Sequence, residues 1–183
     1  LEGVEIGVNY AMIISTLGGL WRYMIGDTVV FTSVTPYKIK ITGRTKLFIN
    51  AFGEEIIINN ADRALAEACR VSGAEINEYT AAPVFMHCGE KGSHEWIIEF
   101  RREPDDMPLF CNTLDKTLQS INSDYEAKRF NDTTLHFPKI ASVPTGTFFR
   151  WMESRGRLGG QNKVPRLSND RKYVDELLTF LDA

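Results

Sequence analysis

A chain of 183 residues, 43% hydrophobic and 25% charged, is long enough for one full domain with a piece of another and has the composition of a globular protein that buries a real core. Its 21 basic and 24 acidic residues leave a net charge of −3, which gives no global field to attract nucleic acid or an anionic membrane. Cys69, Cys88 and Cys111 form no CxxC pair and read as free thiols of a reducing, cytoplasmic compartment. No apolar run approaches the roughly 18 to 20 residues of a membrane span, and the acidic opening LEGVEIGVNYAMIIST lacks the basic start of a signal peptide. With Leu1 in first place, the chain reads as a fragment cut from a longer protein.

Residues 4 to 50 read as a β-meander: GVNYAMIIS, LWRYMI, DTVVFTSV, KIKIT and KLFIN, with Gly, Pro or Asp-Thr between them. Alternation in YKIKIT places Tyr37, Ile39 and Ile41 on one face and Lys38 and Lys40 on the other, the pattern of a strand with one wet side. In NNADRALAEACRVSG, Ala61, Ala64, Leu65 and Ala68 fall at helical spacing, with Asn60 expected as N-cap and Gly73 just past the end. Strands are expected at EYTAAPVFMHC, where Pro83 argues for an edge or bulge, and at HEWIIEF, where Trp96, Ile98 and Phe100 share a face. DDMPLFCNTLDKTLQSI is the strongest helix, capped by Asp105 or Asp106 with Pro108 in its first turn. A strand at TTLHFPKIASV, a short helix in TGTFFRWMESRG, the loop LGGQNKVPR and a terminal helix from Asn169 to about Leu181 complete the chain.

Chemistry-bearing patterns are few. His87, His94 and His136 lack the i, i+4 pairing of a zinc helix, so no metal site is expected, and there is neither a GxSxG elbow nor a marked cysteine nucleophile. The histidines read as surface or strand residues. Three places remain. In GLWRYMIGD, Gly26 and Asp27 serve either a plain turn or a strand end that offers an ionised carboxylate to two neighbouring hydroxyls such as those of a ribose. TGRTK at 42 to 46 lies where the β-rich lead-in meets the alternating half. GGQNKVPR sets Lys163 on a glycine loop, where a lysine taken alone is ordinarily just solvated.

In order and spacing these segments resemble the C-terminal part of acyl-adenylate-forming enzymes, and more closely the auxin-responsive acyl acid-amido synthetases, the Gretchen Hagen family, in its bacterial branch. GLWRYMIGDTVVF resembles that family's aromatic-Arg-Tyr-x-x-Gly-Asp strand and turn, ITGRTKLFINAFGEEI its interdomain linker, and GQNKVPRL its late lysine loop. The resemblance spans essentially the whole chain. It implies that Asp27 holds the ribose hydroxyls of ATP, that Arg44 adds a second contact near the ribose, and that Gly26 and Tyr23 help form the nucleotide pocket. For Tyr23 simple packing is an equal alternative. It further implies that Lys46 is the hinge and Lys163 the mobile lysine that reaches the phosphate and the reacting carboxylate.

The implied reaction needs no nucleophile from the protein. A substrate carboxylate attacks the α-phosphorus of Mg²⁺-bound ATP and expels pyrophosphate, and an amine, typically of an amino acid, then takes the acyl group to give an amide and AMP; the protein positions anions and neutralises spreading charge. One departure stands out: Glu54 and Glu55 occupy the segment where plant members carry a phosphate-binding lysine. The phosphate loop and acyl pocket expected upstream are absent from these residues, so the chain alone is expected to be inactive and to need the N-terminal domain of the same protein. The expected fold is α/β (α+β): residues 1–45 form the last strands of a large adenylating domain, and 46–183 a small mobile domain with a small mixed sheet flanked by helices. The rival reading is a non-catalytic α/β interaction module, in which Asp27 and Lys163 are surface features. A nucleic-acid binder ranks last on charge and on the placing of aromatics in core strands.

Overall fold

The computed structural model describes residues 2–44, 47–86, 91–132, 134–159 and 162–181. They belong to two compact units, Leu1–Leu47 and Phe48–Ala183.

The first unit is a three-stranded antiparallel sheet of β1 (Asn9–Ile14), β2 (Tyr23–Val34) and β3 (Tyr37–Arg44), with β2 in the middle. Here the structure departs from the sequence expectation: LWRYMI and DTVVFTSV are not two strands parted by a turn. Gly26 and Asp27 lie inside one continuous strand, because the pairing with β1 passes from Ala11↔Thr28 directly to Ile13↔Met24. Ile25, Gly26 and Asp27 therefore oppose Met12 alone, a bulge that bends the strand. Gly26 takes φ of 88° there, a left-handed conformation that a residue with a Cβ adopts only under strain.

The wet-side pattern of β3 is also modified. Ile41 and Ile39 pair across from Val29 and Phe31 and share their face, yet Val29 and Phe31 are buried while Ile39 is 49% and Ile41 64% exposed. The central strand is covered by its neighbours, and the edge strand is not.

The second unit is built on a mixed sheet of β6 (Glu75–Val84), β7 (Ser93–Arg102) and β8 (Lys139–Val143), in which β7 runs antiparallel to β6 and parallel to β8. It is preceded by the short antiparallel pair β4 (Phe48–Ile49) and β5 (Ile56–Ile57). Alternation along β7 decides the layers. Trp96, Ile98 and Phe100 point into one core with α1 (Ile58–Ser72) and α2 (Met107–Ile121), which contribute Ala61, Ala64, Leu65, Ala68, Phe110, Leu114 and Leu118. Ile97 points the other way, to a second core made with Val143 and with Phe148, Trp151, Val174 and Leu177 of α4 (Thr147–Ser154) and α5 (Lys172–Leu181). Both faces of the sheet are thus dressed with helices, the mixed α/β arrangement expected.

Local chemistry sets the ends. Asp106 caps α2 by accepting from Leu109 N at 2.9 Å, and Pro108 sits in its first turn. Gly73 ends α1 in the left-handed conformation at φ 72°. Asn60 is not the N-cap of α1: the helix starts two residues before it, and its side chain reaches back to accept from Ile57 N at 3.2 Å. The terminal helix begins at Lys172 rather than Asn169, because Ser168 and Asp170 are occupied in a side-chain-bonded turn. Without counterpart among the sequence expectations is α3 (Ser123–Arg129), which starts on Asn122, a cap that accepts from Tyr125 N at 2.9 Å. Among the described residues no helix is long and apolar enough to cross a membrane.

Candidate functional site

The residues singled out by sequence fall on two separate pieces of structure. Tyr23, Gly26 and Asp27 follow one another along β2, and the backbone of Asp27 pairs with that of Arg44 on β3. Of Arg44 only the backbone is described, and Lys46 lies outside the described residues. Asp27 and Gly26 are half-buried at the bulge; Tyr23 is 51% exposed. Next to them Thr42 donates to Thr28 Oγ1 at 3.0 Å, which ties the middle strand to β3 one residue past Asp27. The bulge thus gives Asp27 a fixed backbone on a bent strand, with Arg44 as its cross-strand neighbour. This answers what Gly-Asp does at that point: it re-aims a strand, and it does not end one.

Lys163 is exposed, on the segment between α4 and α5. The residues after it are sewn to the open edge of β6. Val164 packs against the second core, and Thr80 Oγ1 donates to Pro165 O at 2.7 Å. Ala81 N donates to Arg166 O at 2.8 Å, and Ser168 N donates to Ala81 O at 3.1 Å, a parallel bridge around the fully buried Leu167. The Arg166 guanidinium lies 5.1 Å over the Tyr79 ring while its Nε meets Glu78 at 3.0 Å and its Nη1 meets Asp62 at 3.3 Å. Tyr79 in turn donates to Asp62 at 2.7 Å, and burial with that carboxylate pushes its phenol far up. Farther on, Arg171 bonds Pro83 O at 3.2 Å and Glu95 at 2.6 Å.

Glu54 takes no part in an exposed phosphate site. It is fully buried, its Oε1 lies 2.8 Å from His94 Nε2, and its Oε2 accepts from Phe52 N at 2.7 Å. Burial opposes its ionisation, but the hydrogen bond and attraction from His94 and the backbone donors outweigh it, so its carboxyl sits below the usual range. Asn122 Nδ2 donates to the carbonyls of Glu54 and Glu55 at 2.8 and 3.2 Å and fixes the same loop from the other side. His94 stacks on Tyr125 with ring centroids 5.7 Å apart, and Tyr125 donates at 2.7 Å to Asp115, which Arg129 grips with two bonds of 2.8 and 3.0 Å. By sequence His94 reads as a surface or strand residue. It is a strand residue pointing inward, and the period of two that aligns Trp96, Ile98 and Phe100 already places His94 on their face. The Arg166 anchorage had no comparable signal, because its partners Asp62 and Glu78 are remote in sequence.

Among the described residues no three His, Cys, Asp or Glu side chains come together to hold a metal ion. Cys69 and Cys111 are free thiols, both raised by burial.

Comparison with known proteins covers both units. Residues 1–44 match the GH3 family central domain and residues 59–172 the GH3 family C-terminal domain. The chain is 23% identical over its full length to the 4-substituted benzoates-glutamate ligase GH3.12 of Arabidopsis thaliana, and covers 35% of that protein. It is 26% identical, over 91% of its length, to the indole-3-acetic acid-amido synthetase GH3.4 and 30% identical, over 97%, to GH3.10, both of Arabidopsis thaliana, and covers 30% and 31% of them. Among solved structures, a GH3.15 acyl acid amido synthetase superposes with a TM-score of 0.75 at 19% identity, over 97% of this chain and 33% of that one, a likeness of fold. The chain therefore spans about a third of the length of the relatives it matches. With more than half its residues inside the C-terminal-domain match and its first strands inside the central-domain match, the chain belongs to the GH3 family.

Proposed function

We propose that the chain is the C-terminal portion of an ATP-dependent acyl acid-amido synthetase of the family's bacterial branch, acting in the cytoplasm together with the N-terminal region of the same protein. The observation that carries this reading is the distribution of the motifs over the matches: Asp27 and Arg44 fall in the central-domain match and Lys163 in the C-terminal-domain match. The bacterial assignment rests on the resemblance of the sequence motifs alone; the relatives named above, 23 to 30% identical, are plant proteins. The exposed apolar side chains of the first unit, among them Ile39, Ile41 and the 81% exposed Trp21, suit packing against further parts of the central domain.

In this reading Asp27 accepts hydrogen bonds from the two ribose hydroxyls of ATP, with Arg44 beside it and Gly26 and Tyr23 shaping the pocket. Lys163 brings its ammonium to the α-phosphate and the attacking carboxylate, where negative charge spreads as pyrophosphate leaves. Magnesium belongs to the substrate, carried on the ATP phosphates, where it neutralises charge. The acyl-adenylate then meets an amine, of an amino acid, and yields an amide and AMP. The donor is a small carboxylic acid. The relatives' names point to the probes: 4-substituted benzoates, indole-3-acetate and 2,4-DB. The complete protein, given ATP, Mg²⁺ and such an acid, is expected to release pyrophosphate, and with an amino acid to form the amide; acid-independent background with every probe would overturn the reading.

Lys46 is proposed as the hinge by which one small domain serves both half-reactions. Proline there fixes φ near −65° and removes a backbone donor, so it holds whichever pose tolerates that angle. Lys46→Pro in the complete protein is expected to leave adenylation working and to slow amide formation from pre-formed acyl-adenylate by tenfold or more, roughly the scale of a gating loss. Equal rates for both steps in single-turnover measurements, or an equal loss in both, would remove the hinge from residue 46.

A further inference from the structure

Lys163 is a flexible side chain on an exposed segment, yet the four residues after it are held from three directions. The Arg166 carbonyl accepts from Ala81 N on β6 as one half of the parallel bridge around Leu167, the Arg166 side chain pairs with Glu78 on the same strand, and it crosses to Asp62 on α1. Among the described residues of this strap, Arg166 alone joins all three. The Tyr79 ring beneath the guanidinium, 5.1 Å from its central carbon and itself bonded to Asp62, adds a cation–π contact to the ion pairs. A lysine ammonium is a single point charge without the fork that here aims Nε at Glu78 and Nη1 at Asp62 while the guanidinium carbon lies over the ring, so the contacts use what is particular to arginine.

We propose that Arg166 is a positioning residue for Lys163: it locks the stem of the loop to β6 and α1, and so limits the arc through which the Lys163 ammonium sweeps. This rests on the reading of Lys163 as the reacting lysine. Arg166 itself touches no reacting atom. Its pairs are spent on Glu78 and Asp62, at 39% exposure, and its effect passes through the three peptide bonds that lead by Pro165 and Val164 to Lys163, with the fixed φ of Pro165 transmitting the stem's direction with little play. The consequence is kinetic: a loosened stem leaves ground-state ATP binding alone and makes the productive pose of Lys163 rarer.

The test uses the complete protein, ATP, Mg²⁺ and whichever of a 4-substituted benzoate, indole-3-acetate and 2,4-DB gives the fastest pyrophosphate release. Arg166→Met, which keeps a stem over Tyr79 and removes both ion pairs, is expected to slow single-turnover release roughly ten- to a hundredfold with the KM for ATP unchanged. Arg166→Lys should recover part of that loss. In hydrogen exchange the Ala81 and Ser168 amides should lose protection in Arg166→Met while those of Trp96 and Ile98 keep theirs. In a Lys163→Ala background Arg166→Met should cost less than a further twofold, since there is nothing left to position. Asp62→Asn, on the exposed side of α1 past its first turn, gives a milder version of the same pattern should Arg166→Met fold poorly. A loss equally large with and without Lys163, or unchanged protection at Ala81 and Ser168, would overturn the proposal. If Lys163→Ala alone retains the wild-type rate, the functional reading of Lys163 falls and this inference with it; if Lys163→Ala is slow while Arg166→Met is not, only the inference falls.

Discussion

The sheet of the first unit and the main sheet of the second share a size and differ in what covers them. Each has three strands, yet β7 in the second unit has helices on both faces and buries Trp96, Ile97 and Ile98 completely. Among the described residues of the first unit only the middle strand contributes buried apolar side chains, Val29 and Phe31, while Ile13, Tyr37, Ile39 and Ile41 remain about half or more exposed. The difference teaches where polar groups carry meaning. In the closed unit, buried charges such as Glu54 and Asp115 are each tied to a named partner and lock one loop or helix start. In the open sheet, the features to read are those of the backbone: a bulge and a glycine with positive φ, followed by Asp27.

The strongest way to break this contrast is to orphan a buried charge of the second unit. His94→Ala leaves the Glu54 carboxylate buried without its side-chain partner and is expected to cost about 3–5 kcal/mol at neutral pH by denaturant unfolding. Glu54→Gln should show the pH dependence. Because the folded carboxyl lies below its unfolded value of 4.5, the native pair stabilises fully above that pH and progressively less as pH falls through the folded value. The stability gap between wild type and Glu54→Gln should therefore narrow below about pH 4.5; a gap that widens on acidification would contradict the pairing.

A smaller effect sharpens the comparison inside the two sheets. Ile98→Ala removes side-chain atoms from a fully closed core and is expected to cost about 2–5 kcal/mol. Ile41→Ala, on the exposed edge of the first sheet, is expected to change the stability of this chain by no more than about 0.5 kcal/mol. Similar losses at the two positions would mean that the first sheet is as closed as the second.

Local periodicity makes much of this legible. The buried stripes of α1 and α2, the Asp106 cap, Gly73 at the end of α1 and the shared face of Trp96, Ile98 and Phe100 all depend on neighbours within a few residues, and sequence displays those directly. Gly26-Asp27 reads as a turn because turn residues and bulge residues are chemically the same; only the pairing of Met24 with Ile13 separates them, and that partner lies eleven residues back. α3 gives no signal because its seven residues, SDYEAKR, bury Tyr125 alone and show no stripe. The Glu54–His94 and Arg166–Asp62 contacts join residues 40 and 104 apart in sequence, a distance at which composition and spacing are silent.

The central claim is that two residues do different things to one nucleotide. Measured in the complete protein with ATP, Mg²⁺ and an accepted carboxylic acid, Asp27→Ala is expected to weaken ATP binding by on the order of 2 to 4 kcal/mol through lost charge-assisted bonds to the ribose. Lys163→Ala is expected to slow pyrophosphate release about 10²- to 10³-fold while ATP affinity stays within roughly twofold, as befits a charge that acts on the transition state. Equal losses of ATP affinity in the two variants, or wild-type behaviour in both, would contradict it.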